Sequence, residues 1–222
     1  MVEGITGDEL SARFPKLYHM AELGSWPSIQ KYGLLSTTAL LDLFEMTGDD
    51  RFRIESCHRP ESVTIVHTKH GPAVVRDQKP MSDDSLKKAL AGSMKNSTWY
   101  RLLNSKVFFW LNERRLTKLL GARAYRNKRH DVLVLDTRRI VAAHESKIAL
   151  SPMNSGCTIP FPHKRGPQTF RSLATYPYHS RKRLRDPIVE LAVEYSVSDI
   201  AESVLEVWES SADHDRKLIW KR

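Results

Sequence analysis

Apolar and polar positions along this chain switch between helical and strand spacing, and the switches predict most of its elements. Thr6-Gly7-Asp8-Glu9 reads as a capping box, so a short helix begins there and ends before Pro15. Leu17 to Met20 then predicts a brief strand. Ser25-Trp26-Pro27 opens a second helix, with serine as cap and proline in the first turn, and Gly33 ends it. Thr38 to Met46 carries Leu40, Leu41 and Phe44 at helical spacing and stops at Gly48. Ser62 to Val66 and Ala73 to Arg76 are β-branched runs around His70-Gly71-Pro72, which predicts a hairpin. Ser82-Asp83-Asp84 starts a helix through Leu90.

The second half is more strand-like. Lys106 to Trp110 predicts a strand, and Asn112 caps a helix bearing Leu116, Leu119 and Leu120 that ends near Gly121. Asp131 to Leu135, Ile188 to Glu194 and Val204 to Trp208 complete the strands. Ser151 to Ser180 is rich in Pro, Gly and Ser and has no periodicity, so it predicts a long loop. Strict β-α-β alternation is missing. The expected class is therefore α+β, one domain over residues 1–222 with a mostly antiparallel sheet and flanking helices.

Composition narrows the function. The 222 residues are 41% hydrophobic and 27% charged, an ordinary globular balance. No run approaches the ~18 apolar residues of a membrane helix, so no membrane partner is expected. Glu3, Asp8 and Glu9 interrupt the start of the chain, which predicts no signal peptide. Cys57 and Cys157 make no disulfide framework and have no metal-ligand spacing. A cytoplasmic protein without a metal is expected. The formal net charge of +9 favours a polyanionic partner. No acidic residue lies between Glu145 and Asp186, a window holding Lys147, Lys164, Arg165, Arg171, Arg181, Lys182, Arg183 and Arg185. Phe161, Phe170, Tyr176 and Tyr178 interleave with them. Cations beside rings suit a nucleic acid, so the loop about 151–185 is the expected contact surface, with DNA favoured over RNA.

The candidate chemistry lies in two distant segments. Tyr18-His19 precedes Ser28-Ile29 and Gly33-Leu34-Leu35; Val189-Glu190-Leu191-Ala192-Val193 lies far downstream. Breaking an N-glycosidic bond develops positive charge, which a carboxylate stabilises while it deprotonates a nucleophile. Strand alternation puts Val189, Leu191 and Val193 on one face and Glu190 on the other, with Glu194 as a competitor for its role. Arg76-Asp77-Gln78-Lys79 reads as either a substrate loop or a solvated turn. Asn154-Ser155-Gly156 offers a side chain that both donates and accepts to a base edge.

The order of these segments resembles the ADP-ribosyltransferase superfamily, especially its nucleic-acid-modifying, DarT-like branch. Tyr18-His19 with Ser28-Ile29 and Gly33-Leu34-Leu35 is similar to the family's histidine strand, helix and exit. Val107-Phe108-Phe109-Trp110 is similar to its aromatic strand, and Val189 to Val193 to its glutamate strand. The resemblance implies a split, mostly antiparallel sheet and NAD as donor. It gives His19 and Tyr18 to the nicotinamide nucleotide, Phe108 or Phe109 to base stacking and Glu190 to catalysis. Two positions depart from the pattern: His19-Met20-Ala21 carries no hydroxyl, and the aromatic strand has Phe where Tyr is common. Three functions stay open. One is an NAD-dependent ADP-ribosyltransferase modifying DNA. Another is a DNA glycosylase that uses Glu190 without NAD, with Phe161 or Tyr178 as a wedge for a flipped base. The third is a non-enzymatic nucleic-acid-binding module.

Overall fold

A computed structural model describes residues 4–213 and 215–222. Its helices are α1 (Gly7–Arg13), α2 (Trp26–Tyr32), α3 (Thr37–Leu43), α4 (Gly48–Ser56), α5 (Asp83–Ala89), α6 (Asn96–Asn104), α7 (Glu113–Leu120), α8 (Thr137–His144), α9 (Tyr178–Arg181) and α10 (Ile200–Ser203). Its strands are β1 (Lys16–Glu22), β2 (Leu34–Leu35), β3 (Val63–His67), β4 (Gly71–Val75), β5 (Lys106–Trp110), β6 (His130–Asp136), β7 (Ile148–Ser151), β8 (Glu190–Glu194), β9 (Ser196–Val197), β10 (Val204–Ser210) and β11 (Arg216–Lys221). Among the described residues no helix is long and apolar enough to cross a membrane.

Seven strands form one antiparallel sheet in the order β11-β10-β6-β1-β5-β8-β7. This bears out the α+β class and the mostly antiparallel sheet. β1 runs alongside β6 over its whole length, from Lys16 opposite Asp136 to Glu22 opposite His130. It meets β5 at one register pair, Tyr18 opposite Trp110. β5 pairs fully with β8, placing Trp110 opposite Glu190. The sheet is thus closely knit on both sides of a seam and thinly joined across it.

Period-two alternation sorts the core. Leu17 and Ala21 of β1, Phe109 of β5, Leu133 of β6 and Leu191 of β8 share the main buried cluster with Trp26 and Ile140. Met20 joins Leu116, Leu120, Tyr125 and Val132 in a second cluster, with Tyr18 and Trp110 against it. A third, around Trp99 and Leu86, takes Phe108 and Phe170. The β3–β4 hairpin closes a fourth with Leu41, Phe44 and Ile54.

Local sequence accounts for the element ends. The Thr6–Glu9 capping box forms as expected. Asn112 accepts from the Arg115 amide and starts α7. Ser25 is a correction: its hydroxyl donates to the Glu22 carbonyl, and the buried Asp131 carboxylate accepts from the Trp26 amide. Gly48 is another. It opens α4 rather than stopping a helix, and α3 ends earlier, at Leu43. The long loop is tied down at two places. Leu150 and Arg171 exchange backbone bonds of 2.7 and 3.1 Å, and Arg165 bonds to Ala89 and Ala91, each at 2.9 Å.

Gly33 turns the chain from α2 into β2 at φ 85°, a left-handed conformation. A Cβ there would meet Ser198 Cα at 2.7 Å and the Val197 carbonyl at 2.9 Å. Close approach of β2 to β9 therefore requires glycine. Gly33→Ala is expected to cost about 2 kcal/mol or more in denaturant unfolding, from strain and clash together. A loss within experimental scatter of zero would show that the β2–β9 contact is loose.

Candidate active site

β1 and β5 part immediately beyond the Tyr18–Trp110 pair, and a cleft of about 590 Å³ lies at the parting. Helix α2 contributes Ser28, Ile29 and Tyr32, and the chain after it contributes Leu34 to Thr37. The β4 strand and the turn after it add Val75, Arg76, Asp77 and Gln78. β5 adds Phe108 and Trp110, and the long loop adds Asn154 and Gly156. The walls are largely apolar with a few polar groups, the usual make-up of a small-molecule site.

His19 sits where the strands separate. Its Nδ1 lies 2.8 Å from the Phe108 carbonyl, on the strand that β1 has just left. A carbonyl only accepts, so Nδ1 carries the proton and neutral His19 keeps Nε2 as an acceptor. Burial pulls its pKa down to about 4, with Arg76 adding to the effect and the Phe108 bond opposing it. The ring is therefore neutral near pH 7.

Glu190 is 4% exposed at the start of β8. The Ser155 amide donates to both its oxygens, at 3.2 and 3.1 Å. Burial raises its pKa to about 7, against the pull of Ser155, Arg115 and Arg165. A carboxyl poised there can give or take a proton at neutral pH. It does not line the cleft; Asn154 and Gly156, on either side of that amide, do. His19 alternates with Tyr18 along β1, and Tyr18, Trp110 and Glu190 form a row across three strands. The two expected catalytic groups thus leave their strands on opposite faces of the sheet.

The other expected residues divide in the same way. Phe108 and Asn154 line the cleft. Phe109 does not: it is 1% exposed in the main core, 5.8 Å from the His19 ring between centroids. Tyr18 packs beside the Leu116 cluster and also lies outside the lining. Glu194 is exposed and ion-paired with Lys106, which removes it as a competitor for Glu190. In the 76–79 turn Arg76, Asp77 and Gln78 line the cleft, so the turn is not simply solvated. Sequence reasoning missed Tyr32 and Arg59, which line the cleft as well. Tyr32 follows Ser28 by one helical turn and could have been found from that spacing.

The basic loop is less uniform than its composition suggests. Arg165 is a correction. It is 2% exposed and donates to the carbonyls of Ser155, Cys157 and His163, so it clamps the loop instead of meeting solvent. Arg171 is half-buried and donates to Gln168, and Arg181 donates to Pro187. Lys164, Lys182, Arg183 and Arg185 are exposed. Of the two expected wedges, Tyr178 is buried and Phe161 is 73% exposed. Among the described residues no three His, Cys, Asp or Glu side chains group as a metal site requires.

The two titrating groups act on stability with opposite signs. Glu190 ionises near pH 4.5 when unfolded and near 7 when folded, so its contribution is full below 4.5 and lost as pH rises through 7. His19, lowered from 6.5 to about 4, contributes fully above 6.5 and loses that as pH falls through 4. Subtracting the unfolding curve of Glu190→Gln isolates the carboxyl. Wild type should lose about 3 kcal/mol relative to the variant between pH 4.5 and 7. A flat difference over that window would show that Glu190 is ionised and well solvated.

No curated protein and no solved structure matches the chain. A family described as "Family of unknown function (DUF7002)" matches residues 15–204, which take in β1, the cleft, the long loop and β8. The chain belongs to that family.

Proposed function

We propose that the protein is a nucleic-acid-directed enzyme acting at an N-glycosidic bond, as an ADP-ribosyltransferase that takes NAD as donor and modifies DNA. The observation that carries the reading is the seam: a two-strand parting with a neutral, tautomer-fixed histidine in a cleft of nucleotide size. His19 Nε2 accepts from a ribose hydroxyl. Phe108 offers a ring face to a base, and Asn154 a donor and an acceptor to a base edge.

In the reaction the bond from ribose C1′ to the nicotinamide nitrogen breaks, and its electron pair leaves with neutral nicotinamide. The positive charge passes to the ribose ring. A nitrogen or oxygen of the acceptor base attacks C1′ and gives its proton to Glu190. That role requires the Asn154–Gly156 turn to move off the carboxylate. Lys164, Lys182, Arg183 and Arg185 hold the phosphates of the acceptor strand.

The glycosylase reading drew on the missing hydroxyl after His19. Ser28 and Thr37 line the same cleft from α2 and α3, so hydroxyls are supplied from other elements. That favours the transferase.

The test is incubation with labelled DNA, with and without NAD, for wild type, His19→Ala and Glu190→Gln. DNA-dependent nicotinamide release and a labelled adduct are expected. Both should fall by about 100-fold or more in either variant. Abasic sites formed without NAD would replace this reading with the glycosylase. DNA binding with no turnover under either condition would leave a binding module.

A further inference from the structure

The cleft has a polar floor that neither catalytic candidate explains. Arg59 is 6% exposed and lines the cleft. Its Nε donates to the Arg76 carbonyl at 3.1 Å, Nη1 to the Ile54 carbonyl, and Nη2 to Asn104 Oδ1 at 3.0 Å. All three acceptors are neutral. A guanidinium has five N–H groups, so two remain beyond these bonds.

The acid that acts on Arg59 through space is Asp77. Asp77 is engaged elsewhere: Oδ1 accepts from the Tyr125 hydroxyl at 2.9 Å and from the Lys79 amide at 3.2 Å. A buried charge without a counter-ion is costly, and proteins seldom keep one without a use. Capping the end of α4 through Ile54 explains the position of Arg59 but not the missing counter-charge.

Arg76, whose backbone carbonyl Arg59 holds, also lines the cleft. Its Nη1 donates to the Met20 carbonyl at 3.1 Å, and its nearest carboxylate, Glu22, is 4.0 Å from Nε. Lys106, the other cation of the cleft, is already paired with Glu194. Among the described residues Arg59 has no carboxylate within ion-pairing distance, and Arg76 has only the 4.0 Å contact with Glu22, which lines the cleft together with Asp77. Val75, Met81, Leu103 and Phe108 line the same cleft. Apolar walls lower the local dielectric and strengthen attraction for an anion. Arginine's planar fork suits two phosphate oxygens at once.

We propose that Arg59 and Arg76 form an anion subsite in the floor of the cleft that takes the phosphate or diphosphate of a nucleotide. This rests on reading the cleft as a nucleotide site, but on no reaction there. A free nucleotide and a nucleic-acid strand both offer the same phosphate chemistry.

Isothermal titration of the full chain with ADP, adenosine, inorganic pyrophosphate and a short oligothymidylate tests it. ADP should bind about tenfold or more tighter than adenosine, and pyrophosphate should displace it. Arg59→Gln should bring ADP to the level of adenosine while Arg59→Lys keeps part of the difference. Displacement of ADP by the oligothymidylate in wild type, lost in the variant, would assign the subsite to a strand phosphate. Should Arg59→Gln fail to fold, Arg76→Gln serves, since that side chain makes one hydrogen bond, to the Met20 carbonyl, against three for Arg59. Equal binding of ADP and adenosine by wild type would overturn the proposal. So would wild-type ADP affinity in folded Arg59→Gln. Phosphate-dependent binding with no consumption of NAD would leave the subsite standing and remove the transferase reading alone.

Discussion

One hydrogen bond bridges the seam at the centre of the sheet: His19 Nδ1 to the Phe108 carbonyl. β1 and β5 exchange a single register pair and then diverge, so the backbone groups beyond it need partners other than each other. The histidine supplies one of them from the opposite strand. In doing so it takes a fixed tautomer, remains neutral, and stands at the mouth of the space that the divergence creates. A sheet paired along its full length would have no such space. The cleft is therefore a property of the strand pairing, and the helices α2 and α3 and the β3–β4 hairpin only wall it.

The long loop depends on a second set of bonds. Arg165 gathers three of the loop's own carbonyls, and the Ser155 amide closes on Glu190. Arg165 is a buried charge satisfied by backbone dipoles, and together these bonds fix the loop's path through a stretch with no helix or strand periodicity. The loop does two separable things. Its inner part seals β8 and forms a wall of the cleft; its outer part carries exposed Phe161, Lys164, Lys182, Arg183 and Arg185.

Much of the fold was legible in the sequence because its signals are local. The capping box at Thr6, the hairpin around Gly71 and the strand from Lys106 to Trp110 all follow from patterns a few residues long. Helix α4 was not legible, since Gly48 to Ser56 is polar nearly all round and its two large apolar residues, Phe52 and Ile54, are two positions apart and so lie on different faces. Strand β7 has four residues, and β11 is largely exposed, so neither shows a buried alternation. The site was legible in part. A glutamate among apolar strand residues predicts burial, and Glu190 is buried. What hides it is an amide in a distant loop, which no local pattern encodes. Phe108 and Phe109 are indistinguishable as neighbours in sequence. Only the register with β8 assigns the second to the core. Arg165 looked like a surface cation because composition counts charges without saying where they end.

Ligand is expected to enter at the β1–β5 parting. Amide chemical-shift mapping of the isotopically labelled protein on addition of NAD, followed by a DNA oligonucleotide, checks this residue by residue. NAD should shift amides at 19–37, 76–78, 106–110 and 154–156. DNA should then add shifts at the outer loop, 159–164 and 181–185. Shifts confined to the outer loop under both additions, with the parting unperturbed, would contradict it.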